Sequence, residues 1–264
     1  MPKSRNSLAR EHRSNLRLCE LSLAQLALIA TTALLTSVVG GVAGYGTGAL
    51  MPLVLVPIVG AEPVVPIISL SALLTNSGRL AAFRHFVDLR RAKIVLLSAL
   101  ATCVIGAWGY TRLSGTGALI VIGTMLIATV PLRRLMRRHG LALSNAWLAA
   151  AAFGWGPLAG GTVGAGIILL SLLMAAGLEG AAVVATDAVV SIGIGLVKLG
   201  TFAAAGVVTA QVITVALLIG AMAFPGAFLA RRLVDRLPLH VHTAILDAVV
   251  IGGGAVMIAN ALAH

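Results

Sequence analysis

Apolar residues run along this chain in blocks too long and unbroken for soluble helices, and the charged residues fall between the blocks. Leu21 to Ala61 and Gly140 to Leu178 carry no charge at all, runs of 41 and 39 residues. Leu199 to Ala230 is a third such stretch, with shorter ones at Ile94 to Thr111, Leu113 to Leu132 and Ala248 to Ala263. A hydrocarbon core roughly 30 Å thick is crossed by about 20 helical residues. Each of the two longest runs must therefore turn within itself. Both carry glycine clusters: Gly40, Gly41, Gly44, Gly46 and Gly48 in the first, Gly154, Gly156, Gly160, Gly161, Gly164 and Gly166 in the second. Glycine costs a helix interior about 1 kcal/mol and lets backbones approach closely. These places are expected to be breaks. The pattern predicts an all-α polytopic membrane protein with Gly-broken helix hairpins and about 8–10 membrane segments.

Composition agrees with the pattern. Hydrophobic residues make up 59% of the chain and charged ones 10%, which excludes a water-soluble domain. The net charge of +11 comes from short basic clusters between apolar runs, and with 4% aromatic residues it reads as membrane-loop charge, with no nucleic acid as partner. Cys19 and Cys103 suggest neither a disulfide framework nor a zinc site. Residues 1–20 hold Lys3, Arg5, Arg10, Arg13 and Arg17 and no small-residue cleavage site, so the apolar run that follows is expected to be mature protein behind a basic extension.

The chain also resembles itself at an offset near half its length. Gly46 and Gly48 meet Gly164 and Gly166; Gly60 and Glu62 meet Gly177 and Glu179; Gly78 meets Gly195; Arg112 and Leu113 meet Arg232 and Leu233. Two homologous halves are expected, a first membrane repeat over 21–138 and a second over 139–264. Loop charge bears on their orientation. The Arg84 to Lys93 segment is basic where its counterpart around Phe202 to Gln211 is uncharged, and the single Arg112 is answered by Arg231, Arg232 and Arg236. Equivalent loops thus face opposite sides, which favours inverted repeats with an odd number of crossings each. Inversion puts the basic N-terminus outside, against the positive-inside tendency; a parallel repeat instead leaves Arg231 to Arg236 outside.

The stretch "GGVAGYGTGALMPLVLVPIVGAEP" and the later "GPLAGGTVGAGIILLSLLMAAGLEGAAVVATDA" resemble the TauE/SafE sulfite exporter family, in which each half opens with a glycine-rich sequence followed by an apolar proline-containing run. "FRHFVDLRR" is similar to that family's basic loop, and "LVKLGTF" to its second-half lysine. The resemblance covers most of the chain and implies export of sulfite or a related organosulfur or organic anion. The glycine triplet of each half is diluted here, to Gly44-Tyr45-Gly46-Thr47-Gly48 and Gly160-Gly161-Thr162-Val163-Gly164.

Independently of any family, broken helices inside a bilayer aim unsatisfied N–H groups and the positive dipole end at a midplane cavity, an arrangement suited to small anions. The candidate substrate-binding residues are Gly44, Gly46, Thr47 and Gly48 at the first break and Gly161, Thr162, Gly164 and Gly166 at the second. Close helix packing is the competing reading of these glycines. Arg79 and Lys198 are cations inside apolar segments, where charge costs about 2.5–3.5 kcal/mol; each either neutralises an anion or snorkels to a headgroup. Thr75, Asn76 and Ser77 beside Arg79 either replace the hydration shell of an oxyanion or bond their own helix. Asp187, the most deeply apolar acid, is the coupling candidate: it pairs with Arg79, carries a proton, or sits buried and neutral. Glu62 and Glu179 are expected at the membrane surface, and His240 and His242 in an interfacial loop rather than on a metal.

No catalytic motif and no cofactor motif is present, and no metal site is expected. The reading is a secondary transporter, multi-pass in a bacterial-type inner membrane, with a small anion as substrate, membrane lipid around it and room for a homo-oligomer. It would work by alternating access to a midplane site. An ion channel or cation-coupled carrier using Asp187, Glu62 and Glu179 is the alternative, and a non-transporting membrane partner or intramembrane enzyme a third class.

Overall fold

The computed structural model describes residues 21–43, 47–138, 143–233 and 239–263; the basic extension, Gly44, Gly46 and the loop around Arg236 lie outside the described residues. Among the described residues there are ten α-helices, one 3-10 turn and no strand. In chain order they are α1 Leu23–Ala43, α2 Thr47–Val59, α3 Val64–Phe83, the 3-10 turn Arg84–Phe86, α4 Leu89–Tyr110 and α5 Gly115–Arg138. A second series follows: α6 Asn145–Gly161, α7 Gly166–Ala175, α8 Gly180–Ala204, α9 Ala210–Leu233 and α10 Leu239–Ala263. Four are long and apolar enough to cross a bilayer unaided: α3 with its 3-10 turn, α4, α5 over Gly115–Leu132, and α8. The chain is a multi-pass helical membrane protein.

Local chemistry sets the ends. Ser22 and Gln25 form a reciprocal capping box before α1, each taking the other's main-chain N–H at 3.2 and 2.9 Å. The Asp88 carboxylate accepts from the Arg91 N–H at 2.9 Å to start α4, and that N–H, with the Arg91 guanidinium, holds Asp88 below the usual carboxylate range. The second long uncharged run is interrupted at its glycine cluster, α6 giving way to α7, while at the first the residues between α1 and α2 lie outside the described residues. Both short helices then end on a left-handed glycine, Gly60 at φ 82° and Gly177 at φ 86°. His240 and His242 fall in the first turn of α10 rather than in a loop. Pro238 leaves no N–H for a preceding turn and so favours a helix start there.

The two series pack reciprocally. α4 lies along α6, and its counterpart α9 along α1; α9 also packs on α3, as α4 does on α8. The third helices, α3 and α8, meet each other, and so do the fifth, α5 and α10. In these pairs each contact has its exchanged counterpart in the other series.

The α4–α6 contact is extensive and depends on glycine. A Cβ at Gly160 would run into the Cys103 carbonyl, and one at Gly106 into the Pro157 carbonyl. Main chain leaves no side-chain end to swing aside, so the two helices would have to separate. Replacing Gly160 by Ala should therefore destabilise the detergent-solubilised protein, by about 1–3 kcal/mol on the scale of overpacked cores. The same change at Gly252, where no atom lies within 4 Å of the added carbon, should leave thermal unfolding unchanged. Equal melting shifts would show that the close approach is not needed.

Candidate functional site

The breaks meet. A Cβ on Gly48 would lie 3.6 Å from the Gly164 nitrogen and 3.9 Å from its Cα, so the start of α2 and the approach to α7 are in main-chain contact. Gly164 is held at φ 82°, a conformation that L side chains rarely adopt. Around this junction lies a cavity of about 230 Å³, room for a small anion with several waters at roughly 30 Å³ each. Thr47, Gly48 and Ala49 line it from the start of α2, and Gly164, Ala165, Gly166 and Ile167 from the start of α7. First-turn N–H groups lack the usual partner four residues back; at α7 those of Ile167 and Ile168 turn back onto the Gly164 and Ala165 carbonyls at 3.2 and 3.1 Å. Two positive helix ends thus border one space.

Three ionisable side chains line the cavity. Arg79 comes from α3, while Asp187 and Lys198 come from α8. Arg79 Nη1 donates to Asp187 Oδ2 at 2.9 Å and to Asn76 Oδ1 at 3.1 Å. That commits both hydrogens of Nη1 and leaves the Asn76 amide nitrogen as a donor group on the cavity wall. Asp187 is 2% exposed, and its other oxygen, Oδ1, has no hydrogen-bond partner. The Ser191 hydroxyl lies near this carboxylate but not in hydrogen-bonding geometry to Oδ1. Lys198 does not snorkel: it is 7% exposed, and its ammonium donates to the Ala159 carbonyl at 2.8 Å and the Thr162 carbonyl at 3.2 Å. It caps the end of α6 where a cation is favoured, and keeps one N–H uncommitted to these two bonds.

The sequence-selected residues divide as follows. Thr47, Gly48, Thr75, Asn76, Arg79, Thr162, Gly164, Gly166, Asp187 and Lys198 share the cavity. Ser77 does not: it is exposed, and its hydroxyl donates to the Leu73 carbonyl of its own helix at 2.7 Å. Gly161 does not either. It sits over Gly106, where an added Cβ would come 2.9 Å from that carbonyl oxygen, so it belongs to the α4–α6 contact. Gly44 and Gly46 fall outside the described residues. Thr75 lines the cavity but donates to the Ser71 carbonyl at 3.1 Å, which leaves its oxygen an acceptor until it rotates. Glu62 and Glu179 are exposed just before α3 and α8 and do not line the cavity.

Trp155 escaped the sequence reading. Its indole N–H donates to the Ala165 carbonyl at 2.9 Å across the second break, and its ring lines the cavity. The signal available was an aromatic residue set among glycines in "FGWGPLAGG". Ser37, Ser69 and Ser71 also line the space, their hydroxyls donating to main-chain carbonyls.

Two helix starts, a half-buried arginine and a buried lysine thus border one cavity inside a helical membrane protein. Residues 29–257 match the family model described as sulfite exporter TauE/SafE, and the chain belongs to that family. The family is one of transporters, not enzymes. No curated protein and no solved structure matches the chain.

Gly164 tests the site without touching a charge. Replacement by Leu should both strain the backbone, by roughly 1–2 kcal/mol for a left-handed L residue, and fill the junction against Gly48. Sulfite efflux from loaded vesicles should fall at least tenfold while the protein still reaches the membrane. Wild-type efflux would mean that the junction is packing alone.

Proposed function

We propose that this protein exports a small anion, sulfite or a related organosulfur or organic anion, across a bacterial-type inner membrane by alternating exposure of the cavity between the two breaks. The observation that carries this reading is the convergence of two helix starts with Arg79 and Lys198 on one cavity. An oxyanion there meets main-chain donors, the Asn76 amide and cationic side chains, which together replace its hydration shell. An inside-negative potential drives anions outwards by about 2.3 kcal/mol per charge per 100 mV, so export needs no nucleotide.

The reciprocal packing, with five helices in each series, supports halves inverted about an axis in the membrane plane. Inversion predicts that the two ends of the path exchange roles, and the present ends differ. Phe83, at the last residue of α3, lines the large cavity, which extends towards the basic segment Arg84 to Lys93. Its repeat counterpart Phe202 is 1% exposed and stands edge-on to Tyr110, ring centroids 6.3 Å apart. The Tyr110 hydroxyl donates to the Ala61 carbonyl at 2.8 Å. Beyond Tyr110 lies a second cavity of about 60 Å³, bordered by Glu62, Pro66 and Val207. Along the chain Phe202 falls between Lys198, which lines the large cavity, and Val207, which lines the second. We read the Phe202–Tyr110 contact as the closed gate of a state open towards the basic loop.

Two outcomes are expected. Arg79→Ala and Lys198→Ala should each lower sulfite efflux from proteoliposomes tenfold or more, at unchanged reconstitution; wild-type rates in both would remove these side chains from transport. Phe202→Ala should open a several-fold passive sulfite leak at zero potential, and an unchanged leak would dispose of the gate.

A further inference from the structure

The charges that face the guest make a short inventory. Arg79, Asp187 and Lys198 line the cavity, and among its described lining residues no other side chain is ionisable. Two cations and one acid sum to a single positive charge. The elements around Asp187 supply no further charge to that wall. From α3 comes Arg79; α4 opens on Asp88 and Arg91, which bond each other, carries Arg90 and Lys93 exposed in its first turns and holds the buried Cys103 thiol farther along; the 3-10 turn holds Arg84 and His85, in mutual contact. Asp88 reaches α8 only through its main-chain N–H, which donates to the Thr186 hydroxyl at 3.0 Å. No ionisable residue of α6 or α7 lies between their ends.

Asp187 carries a second observation. One of its oxygens takes the Arg79 guanidinium, while Oδ1 is buried with no partner. A charged oxygen left bare in a low-dielectric wall is costly, and a proton there removes the cost. Nothing equivalent exists in the other half, where repeat offsets of 117 to 120 put Ile67, Ile68, Ser69 or Leu70 opposite Asp187.

Resting on the transport reading above, we propose that Asp187 fixes the load of the carrier at one net negative charge. A monoanion, such as hydrogensulfite or a sulfonate, neutralises the site with Asp187 ionised. A dianion, such as sulfite itself, enters with one proton placed on Asp187 Oδ1, which leaves the same net charge. The proton comes from the side the cavity faces and departs with the anion on the other side. Each cycle therefore moves one negative charge, whichever form of the substrate is bound. Arg79 keeps Asn76 as a partner throughout, so Asp187 can yield the guanidinium to the guest without leaving it bare.

The experiment is the reversal potential of sulfite transport in proteoliposomes, at equal pH on both sides, with sulfite as the sole transported solute. For wild type, a tenfold sulfite gradient should shift the reversal potential by about 59 mV in mildly acid and in alkaline buffer alike, the value for one charge. Asp187→Asn removes the proton site while keeping the shape. In alkaline buffer, where the dianion predominates, it should give about 30 mV, the value for two charges. Asp187→Glu should restore the wild-type value and thereby guards against a folding artefact. A wild-type shift of about 30 mV in alkaline buffer, electroneutral sulfite flux, or an Asp187→Asn protein that keeps about 59 mV there would each overturn the charge rule and leave the transport reading standing. Absence of any sulfite flux in wild type would remove both.

Discussion

Interrupting a helix inside a bilayer exposes main-chain groups where no water is available to satisfy them, and the architecture around both breaks answers that constraint. At the second break the answers are visible one by one. The last carbonyls of α6 go to Lys198, and the Ala165 carbonyl goes to Trp155. What these bonds consume is chiefly the negative end of the break. A broken helix sets a C-terminal end and an N-terminal end side by side, and their partial charges nearly cancel at a distance. By covering the carbonyl end with an ammonium and an indole N–H, the protein leaves the start of α7 as the uncompensated pole.

Reciprocal packing places the same elements on both sides of the cavity, and the departures from that reciprocity carry the chemistry. Arg79 and Lys198 occupy matching points of α3 and α8, yet they are tied differently, one to a carboxylate and an amide, the other to main-chain carbonyls. Phe83 lines the open cavity while Phe202 is buried against Tyr110. On the proposed reading, a matched pair in unequal environments is what one end-state of the transport cycle should contain. An acid present in one half and absent from the other does not follow from the state, and needs a reason of its own.

Glycine and charge were the legible parts of the sequence, because each carries a large cost in hydrocarbon. The breaks could be placed from Gly44 to Gly48 and Gly160 to Gly166, and Arg79, Asp187 and Lys198 stood out as charges that a lipid-facing helix would not tolerate. Helical phase was harder. Turning about 100° per residue, α3 brings Thr75, Asn76 and Arg79 onto the stripe that meets the cavity and carries Ser77 off it. Gly161 shows the other limit, since a glycine in such a chain serves a site or a helix contact with the same composition around it. Trp155 gave no polar signal at all; its part depends on where one indole N–H ends up, which only the folded chain determines.

Asp187 also bears on the empty carrier. A cavity holding Arg79 and Lys198 alone would have to return through the bilayer with two uncompensated cations beside two positive helix ends, and desolvation of such a site is expensive. Pairing Arg79 with Asp187 lowers that cost before the guest arrives, and the bond is replaceable because Asn76 holds the guanidinium in place. On the proposed reading, affinity for the anion and ease of return are set by the same 2.9 Å contact. A stronger pair would exclude the guest, and none would trap it. A lone acid in a duplicated site is then the compromise that lets the cavity bind on one side, release on the other, and close when empty.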